Sequence, residues 1–180
     1  IEMAGVEPEF RAAIAGTLDR AAQLKNDAPG RQNPEYAEFW TGPQRTALAQ
    51  AGLIAPHLPA PWGLDATPAQ QLIIDEEFDN RPQLVRPSLG ISQWILPTVL
   101  AAGSDAQRAQ FAEPTLRGEI GWCQLFSEPG AGSDVVGSMS CRAEKRGDAW
   151  VANGSKMWIT NGPEADVAVV YMRTAGKEAG

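Results

Sequence analysis

The sequence reads as an α+β protein, with an all-α helical domain over residues 1–119 followed by an incomplete antiparallel β domain over residues 120–180. Three observations predict this. Apolar residues recur at intervals of three and four through the first two thirds of the chain, which is the period of a helix with one buried face. Proline, glycine and capping-box signals punctuate that part at helix-like intervals. From Gly121 onward the period shortens to that of strands, with tight-turn pairs between short runs.

The first helix opens at Pro8, since proline suits the first helical position, and Phe10, Ile14, Leu18, Ala21 and Leu24 form one apolar stripe. A polar break follows from Asp27 to Pro34. A short helix is predicted from Pro43 to Ala51, stopped by Gly52 in the left-handed capping conformation. After a Pro-rich loop, Thr67-Pro68-Ala69-Gln70 combines a capping box with proline at the first helical position. It opens a helix to about Phe78 with Leu72 and Ile73 facing inward. A further helix is predicted from Leu89 to Ala101. Ser104-Asp105-Ala106-Gln107 repeats the capping-box pattern for a last helix to Leu116, with Arg117 in the final basic turn and Gly118 as the stop.

The boundary is placed between Gly118 and Gly121. Strands are predicted at Trp122 to Leu125, Ser138 to Glu144, Ala149 to Asn153, Ser155 to Thr160 and Asp166 to Met172. Gly147-Asp148 and Asn153-Gly154 suit tight hairpin connections, because these residues accept positive φ. The closing residues from Thr174 are small and polar, a composition that suits disorder.

Composition narrows the function. With 43% hydrophobic and 21% charged residues the chain is of ordinary globular type. No apolar run has the length of a membrane span and Ile1-Glu2-Met3 is not a signal-peptide opening, so a cytoplasmic protein with no membrane partner is expected. A formal charge of −7 without a basic patch argues against a nucleic-acid partner. Cys123 and Cys141 lack metal-site spacing and read as buried thiols, so no metal is expected. His57, the single histidine, lies in a turn-rich connection and reads as a surface or packing residue.

The chemistry-bearing part is the segment from Trp122 to Asp134. A short apolar run ends in a loop where Pro129 extends the chain at Glu128, and Gly130 and Gly132 are expected to permit positive φ and expose backbone N–H groups. Ser127, Ser133 and Asp134 add hydroxyls and a carboxylate, so donors and acceptors converge where bulk is least. Such a turn also occurs as a bare connection between strands.

A second segment, Lys156 to Gly162, alternates as a half-exposed strand would, which puts Trp158 and Thr160 on one face. An indole beside a hydroxyl suits a planar ring rimmed with heteroatoms, although Trp158 alone also reads as a core tryptophan.

Together, Phe126-Ser127-Glu128-Pro129-Gly130-Ala131-Gly132-Ser133-Asp134 and Lys156-Met157-Trp158-Ile159-Thr160-Asn161-Gly162 closely resemble the two signatures of the acyl-CoA dehydrogenase family of flavoproteins. Many members carry Tyr at the position of Gln124 and Thr at that of Ser127. The resemblance implies FAD as cofactor, with Gln124, Phe126, Ser127 and Gly132 near the flavin. Trp158 and Ile159 would lie on the ring, Thr160 near its N5, and Ser133 toward the CoA arm of the substrate as well as the cofactor.

The resemblance also implies oxidation of the α,β bond of an acyl-CoA thioester, with electrons passed to an electron-transfer flavoprotein, and a homo- or hetero-oligomer. Family members continue into more strands and a C-terminal helical domain that holds the catalytic base, so the chain is expected to be a fragment that is inactive alone. Glu128, before proline in the loop, is expected to hold the turn rather than act as that base. A flavin oxidase or monooxygenase of the same fold, or a catalytically silent scaffold half, are the alternative readings.

Overall fold

The computed structural model describes residues 8–24, 41–84, 86–132, 134 and 137–174. The chain divides into two compact units, Ile1–Gly121 and Trp122–Gly180.

In the first unit, α1 spans Pro8–Ala22 and buries Ile14, Leu18 and Ala21, whereas Leu24 falls beyond its end and is exposed. The polar break at 27–34 lies outside the described residues. Helix α2 spans Pro43–Gln50. It ends in a Schellman turn: Gly52 adopts φ +71°, its N–H donates to Ala49 O at 3.0 Å, and the Leu53 N–H donates to Leu48 O at 2.9 Å.

Helix α3, Pro68–Asp79, carries the complete capping box. The Gln70 N–H donates to Thr67 Oγ1 at 3.3 Å and the Thr67 N–H to Gln70 Oε1 at 2.9 Å. Its buried stripe is Ile73, Ile74, Glu77 and Phe78. Leu72, expected inward, is 47% exposed instead. At 100° per residue it lies 200° from Ile74, outside that stripe.

Helix α4 runs over Ser92–Ala102, three residues later than the predicted start at Leu89. Gly90 at φ +48° interrupts the approach, and the residues before α4 form turns, with the Ser92 N–H donating to Leu89 O at 2.8 Å. Helix α5, Asp105–Leu116, repeats the capping box of α3 through Ser104 and Gln107, and ends in a second Schellman turn at Gly118.

Two apolar clusters hold this unit. Ile14, Leu18, Leu48, Leu53, Ile74 and Phe78 belong to one, and Ala49, Leu58, Leu96, Ala112 and Leu116 to the other. Consecutive residues of α2, Leu48 and Ala49, therefore serve different clusters. Buried Arg45 on the same helix donates from Nε to Leu116 O at 2.9 Å and from Nη2 to Thr115 O at 3.4 Å. It meets carbonyls at the C-terminus of α5, where a cation is favoured. His57 is exposed.

In the second unit, β1 (Trp122–Leu125) pairs with β4 (Val167–Val170), and β2 (Arg142–Arg146) pairs with β3 (Ala149–Asn153). The α+β class stands as read. The β2–β3 ladder is antiparallel through a hairpin at Gly147-Asp148, with Gly147 at φ +62°, while the β1–β4 ladder is parallel. Strand β2 begins at Arg142 rather than Ser138, because Ser140 and Cys141 give their N–H groups to a carboxylate instead of a ladder. The predicted strand from Ser155 to Thr160 does not form, so Asn153-Gly154 makes no hairpin. Cys123 and Cys141 are free buried thiols, and residues 175–180 lie outside the described residues.

Candidate functional site

Strand β1 delivers the chain into the glycine-rich loop. The Leu125 carbonyl accepts from the Tyr171 N–H at 3.2 Å, toward β4. Alternate peptide groups of a strand face opposite edges, so the backbone N–H and C=O of Gln124 face the edge of β1 away from β4. Phe126 follows, its ring centroid 4.2 Å from that of Tyr171 with the planes tilted by 59°.

Next, Pro129 and Gly130 form a tight turn closed by reciprocal backbone bonds between Glu128 and Ala131, at 2.9 and 3.0 Å. Neither Gly130 nor Gly132 has the positive φ that was expected, and a Cβ at either would meet nothing within 4 Å. Their lack of a side chain is therefore required neither by the backbone nor by internal packing. It leaves open space above the exposed loop.

The turn points Glu128 inward. Its Oε2 accepts from the Ser140 N–H at 2.7 Å and Ser140 Oγ at 2.5 Å, and its Oε1 from the Cys141 N–H at 3.0 Å and Lys156 Nζ at 2.9 Å. The side chains of Glu128 and Lys156 are only 2% and 6% exposed. Hydrogen bonds from Ser140 above all, then from Lys156 and Cys141, hold the Glu128 carboxyl far below the usual carboxylate range against the opposing effect of burial. Glu128 is thus a filled structural acceptor and a poor proton base. Burial also pushes the Cys141 thiol up, with Glu128 adding to the effect.

Lys156 Nζ donates in addition to Phe126 O at 2.9 Å, and the Met157 N–H donates to Ser127 O at 3.0 Å. These contacts bring the two motifs together. Just beyond them, Trp158 takes φ +55° and Asn161 φ +61°, and Ile159 to Ala165 form a compact turn. The strand alternation proposed for Trp158 and Thr160 fails for this reason: left-handed residues break the pleat.

The outcome keeps the exposure that alternation was meant to supply. Trp158 is 70% exposed, Thr160 is exposed, and Ile159 is half-buried. A left-handed conformation costs a bulky residue roughly 1–3 kcal/mol, and side-chain packing among the described residues does not offset it for this exposed indole. Ser133 lies outside the described residues. Asp134, read from sequence as a ligand-facing carboxylate, instead accepts from the Gly137 N–H at 2.8 Å and from Ser138 Oγ at 3.0 Å, which lowers its pKa and folds its own loop.

Lys156 and Ser140 escaped sequence reasoning as organisers of the site. The available signal was opposite charge at Glu128 and Lys156 in otherwise weakly charged segments. Trp158 and Thr160, both exposed, follow directly on the contacts that tie their segment to the glycine-rich loop, and an indole and a hydroxyl are groups that suit a planar redox ring such as a flavin.

Comparison with known proteins agrees. Residues 123–180 match the family described as acyl-CoA dehydrogenase, middle domain. The chain is 39% identical over 173 residues to acyl-CoA dehydrogenase FadE34 of Mycobacterium tuberculosis, covering 96% of this chain and 21% of that protein. It is 35% identical over 167 residues to the mitochondrial isovaleryl-CoA dehydrogenase of Pongo abelii, covering 92% of this chain and 36% of the relative. Among solved structures, a glutaryl-CoA dehydrogenase from Mycobacterium smegmatis in complex with FADH2 is similar, with a TM-score of 0.56 and 25% identity over 94% of this chain and 43% of that one. The chain spans less than half the length of each. On the strength of the two motifs, their shared site and these relatives, the chain belongs to the acyl-CoA dehydrogenase family.

Proposed function

We propose that the chain forms part of an FAD-dependent acyl-CoA dehydrogenase, with residues 1–119 as its N-terminal helical domain and residues 120–180 as the first part of its middle β domain. The observation that carries this reading is the joining of the two motifs by Lys156 and Met157, with Trp158 and Thr160 exposed immediately beyond. The similar glutaryl-CoA dehydrogenase described in complex with FADH2 supports the choice of cofactor.

In this reading the open-edge backbone of Gln124, together with Phe126, Ser127 and Gly132, binds the polar side of the isoalloxazine. Trp158 and Ile159 cover the ring, Thr160 donates a hydrogen bond near N5, and Ser133 serves the cofactor and the CoA arm of the thioester. FAD, when bound, supplies the two-electron chemistry that takes hydride from the substrate β carbon. The chain's residues orient the ring and exclude water from one side of it. Glu128 is fully occupied and is not the carboxylate that removes the α proton; the resemblance to the family assigns that role to a residue of the C-terminal helical domain of family members. An electron-transfer flavoprotein is the proposed electron acceptor, and association with like or related subunits the proposed assembly.

The test is an absorption titration of the protein with FAD, followed by anaerobic addition of a panel of acyl-CoA thioesters. Flavin binding, and bleaching of the flavin band by one or more thioesters in the whole protein, is the expected result. A protein with no affinity for flavin overturns the reading. Rapid reoxidation by air would identify an oxidase, and flavin binding without bleaching by any thioester a silent scaffold.

A further inference from the structure

We propose that Glu128 and Lys156 are positioning residues for the ring face: a buried latch that holds Trp158 in its left-handed conformation. The inference deepens the flavin reading and rests on it for its purpose, but the latch itself is a matter of this chain's own contacts.

Trp158 lies two residues beyond Lys156, and its backbone conformation is one that a tryptophan does not choose freely. Its own side chain is too exposed to enforce that conformation by packing. The constraint must come from the segment leading into it. There Lys156 Nζ is tied to Glu128 Oε1 and to Phe126 O, both at 2.9 Å, and the next residue, Met157, is tied by its N–H to Ser127 O at 3.0 Å. Glu128 is in turn fixed by Ser140 and by the Cys141 N–H, and by the reciprocal turn bonds to Ala131.

The chain thus enters Trp158 pinned at two successive residues against the glycine-rich loop. On the far side, the Gly162 N–H closes onto Ile159 O at 3.1 Å. Between these fixed points the left-handed turn at Trp158 connects the two. If the ammonium is removed, the anchored segment loses its tie to Glu128 and Phe126 and Trp158 is free to relax toward extended backbone, changing the direction of its indole.

The test uses 15N–1H spectra of the indole N–H groups, with the Trp158 signal assigned from Trp158→Phe. Lys156→Met and Glu128→Gln are expected to shift or broaden the Trp158 signal while the indole signals of the first unit stay in place. Lys156→Arg, which keeps a cation in reach of both acceptors, is expected to restore it in large part. In the flavin-loaded protein the same two variants are expected to alter the shape of the flavin absorption band and to weaken flavin binding about tenfold, with Lys156→Arg recovering most of the loss. A folded Lys156→Met or Glu128→Gln whose Trp158 signal is unmoved overturns the latch. Where neither folds, Ser140→Ala, which takes one donor from Glu128, decides in the same way. A wild-type protein that binds no flavin refutes the proposed function and leaves the indole result to judge the latch alone.

Discussion

Gly154 is packed directly against Cys141: a Cβ built on Gly154 would lie 2.2 Å from Cys141 Sγ and 2.8 Å from Cys141 Cα, and Gly154 has φ +141°. Both space and backbone conformation exclude a side chain. Gly154→Ala is expected to destabilise the second unit by roughly 2 kcal/mol or more. Adding Cys141→Ala is expected to recover only part of this, because the clash with the Cys141 backbone and the strained φ remain. Urea unfolding of the single and double variants checks it.

Arg45 satisfies carbonyls at the end of α5 from a buried position. Arg45→Met takes the Arg45 donor from the Leu116 carbonyl, while Thr115 O keeps the Gly118 N–H, and should cost about 1–3 kcal/mol, the usual range for an unsatisfied buried group. Arg45→Lys keeps the charge but cannot span the same carbonyls, and is expected to fall between. Hydrogen exchange along the last turn of α5 should speed up in the order Arg, Lys, Met.

Acid should weaken both units through identifiable carboxylates. Hydrogen bonds from Arg11 and Arg81 lower the pKa of Glu77, and those from Ser140, Lys156 and Cys141 lower that of Glu128. A depressed folded-state pKa adds stability that is whole above the unfolded value, near about 4.3 for glutamate, and is lost as pH falls from there through the folded value. Melting temperature followed from pH 7 to pH 2 should therefore fall steeply below about pH 4. Glu77→Gln and Glu128→Gln should melt earlier than wild type at pH 7, with the gap closing in acid. A gap that is constant with pH would show that these carboxylates do not carry the effect.

Trp158 should divide stability from binding. Trp158→Gly removes a mostly exposed side chain and relieves its left-handed backbone, so its fold stability should equal or exceed that of wild type by up to about 1 kcal/mol. Flavin binding by the same variant should weaken on the order of tenfold or more through loss of ring contact. Thr160→Val should weaken it about fivefold, as loss of a single hydrogen bond does. Paired calorimetric and flavin-fluorescence titrations separate the two effects.

What the sequence discloses here is local. The capping boxes at Thr67 and Ser104 and the stops at Gly52 and Gly118 were readable because each involves residues within a few positions of one another, and all four form as expected. Leu72 was misassigned because Leu72, Ile73 and Ile74 are consecutive apolar residues, and only the position of the neighbouring helices selects which of them face inward. The motif pair points to the candidate site, but not to its construction. Nothing in the spacing of Lys156-Met157-Trp158 reveals a left-handed tryptophan, since the alternation of a strand and that of an irregular segment look alike in letters. Lys156 and Glu128 are 28 positions apart, and their meeting depends on how the intervening hairpin folds.

That hairpin gives the loop contacts a compact origin. Each donor that reaches the Glu128 carboxylate comes from the stretch between Ser140 and Lys156, which contains β2, β3 and their short connection. The surface that bears Trp158 is therefore locally assembled: the glycine-rich loop and the segment leading into Trp158 are clasped by a single excursion of the chain.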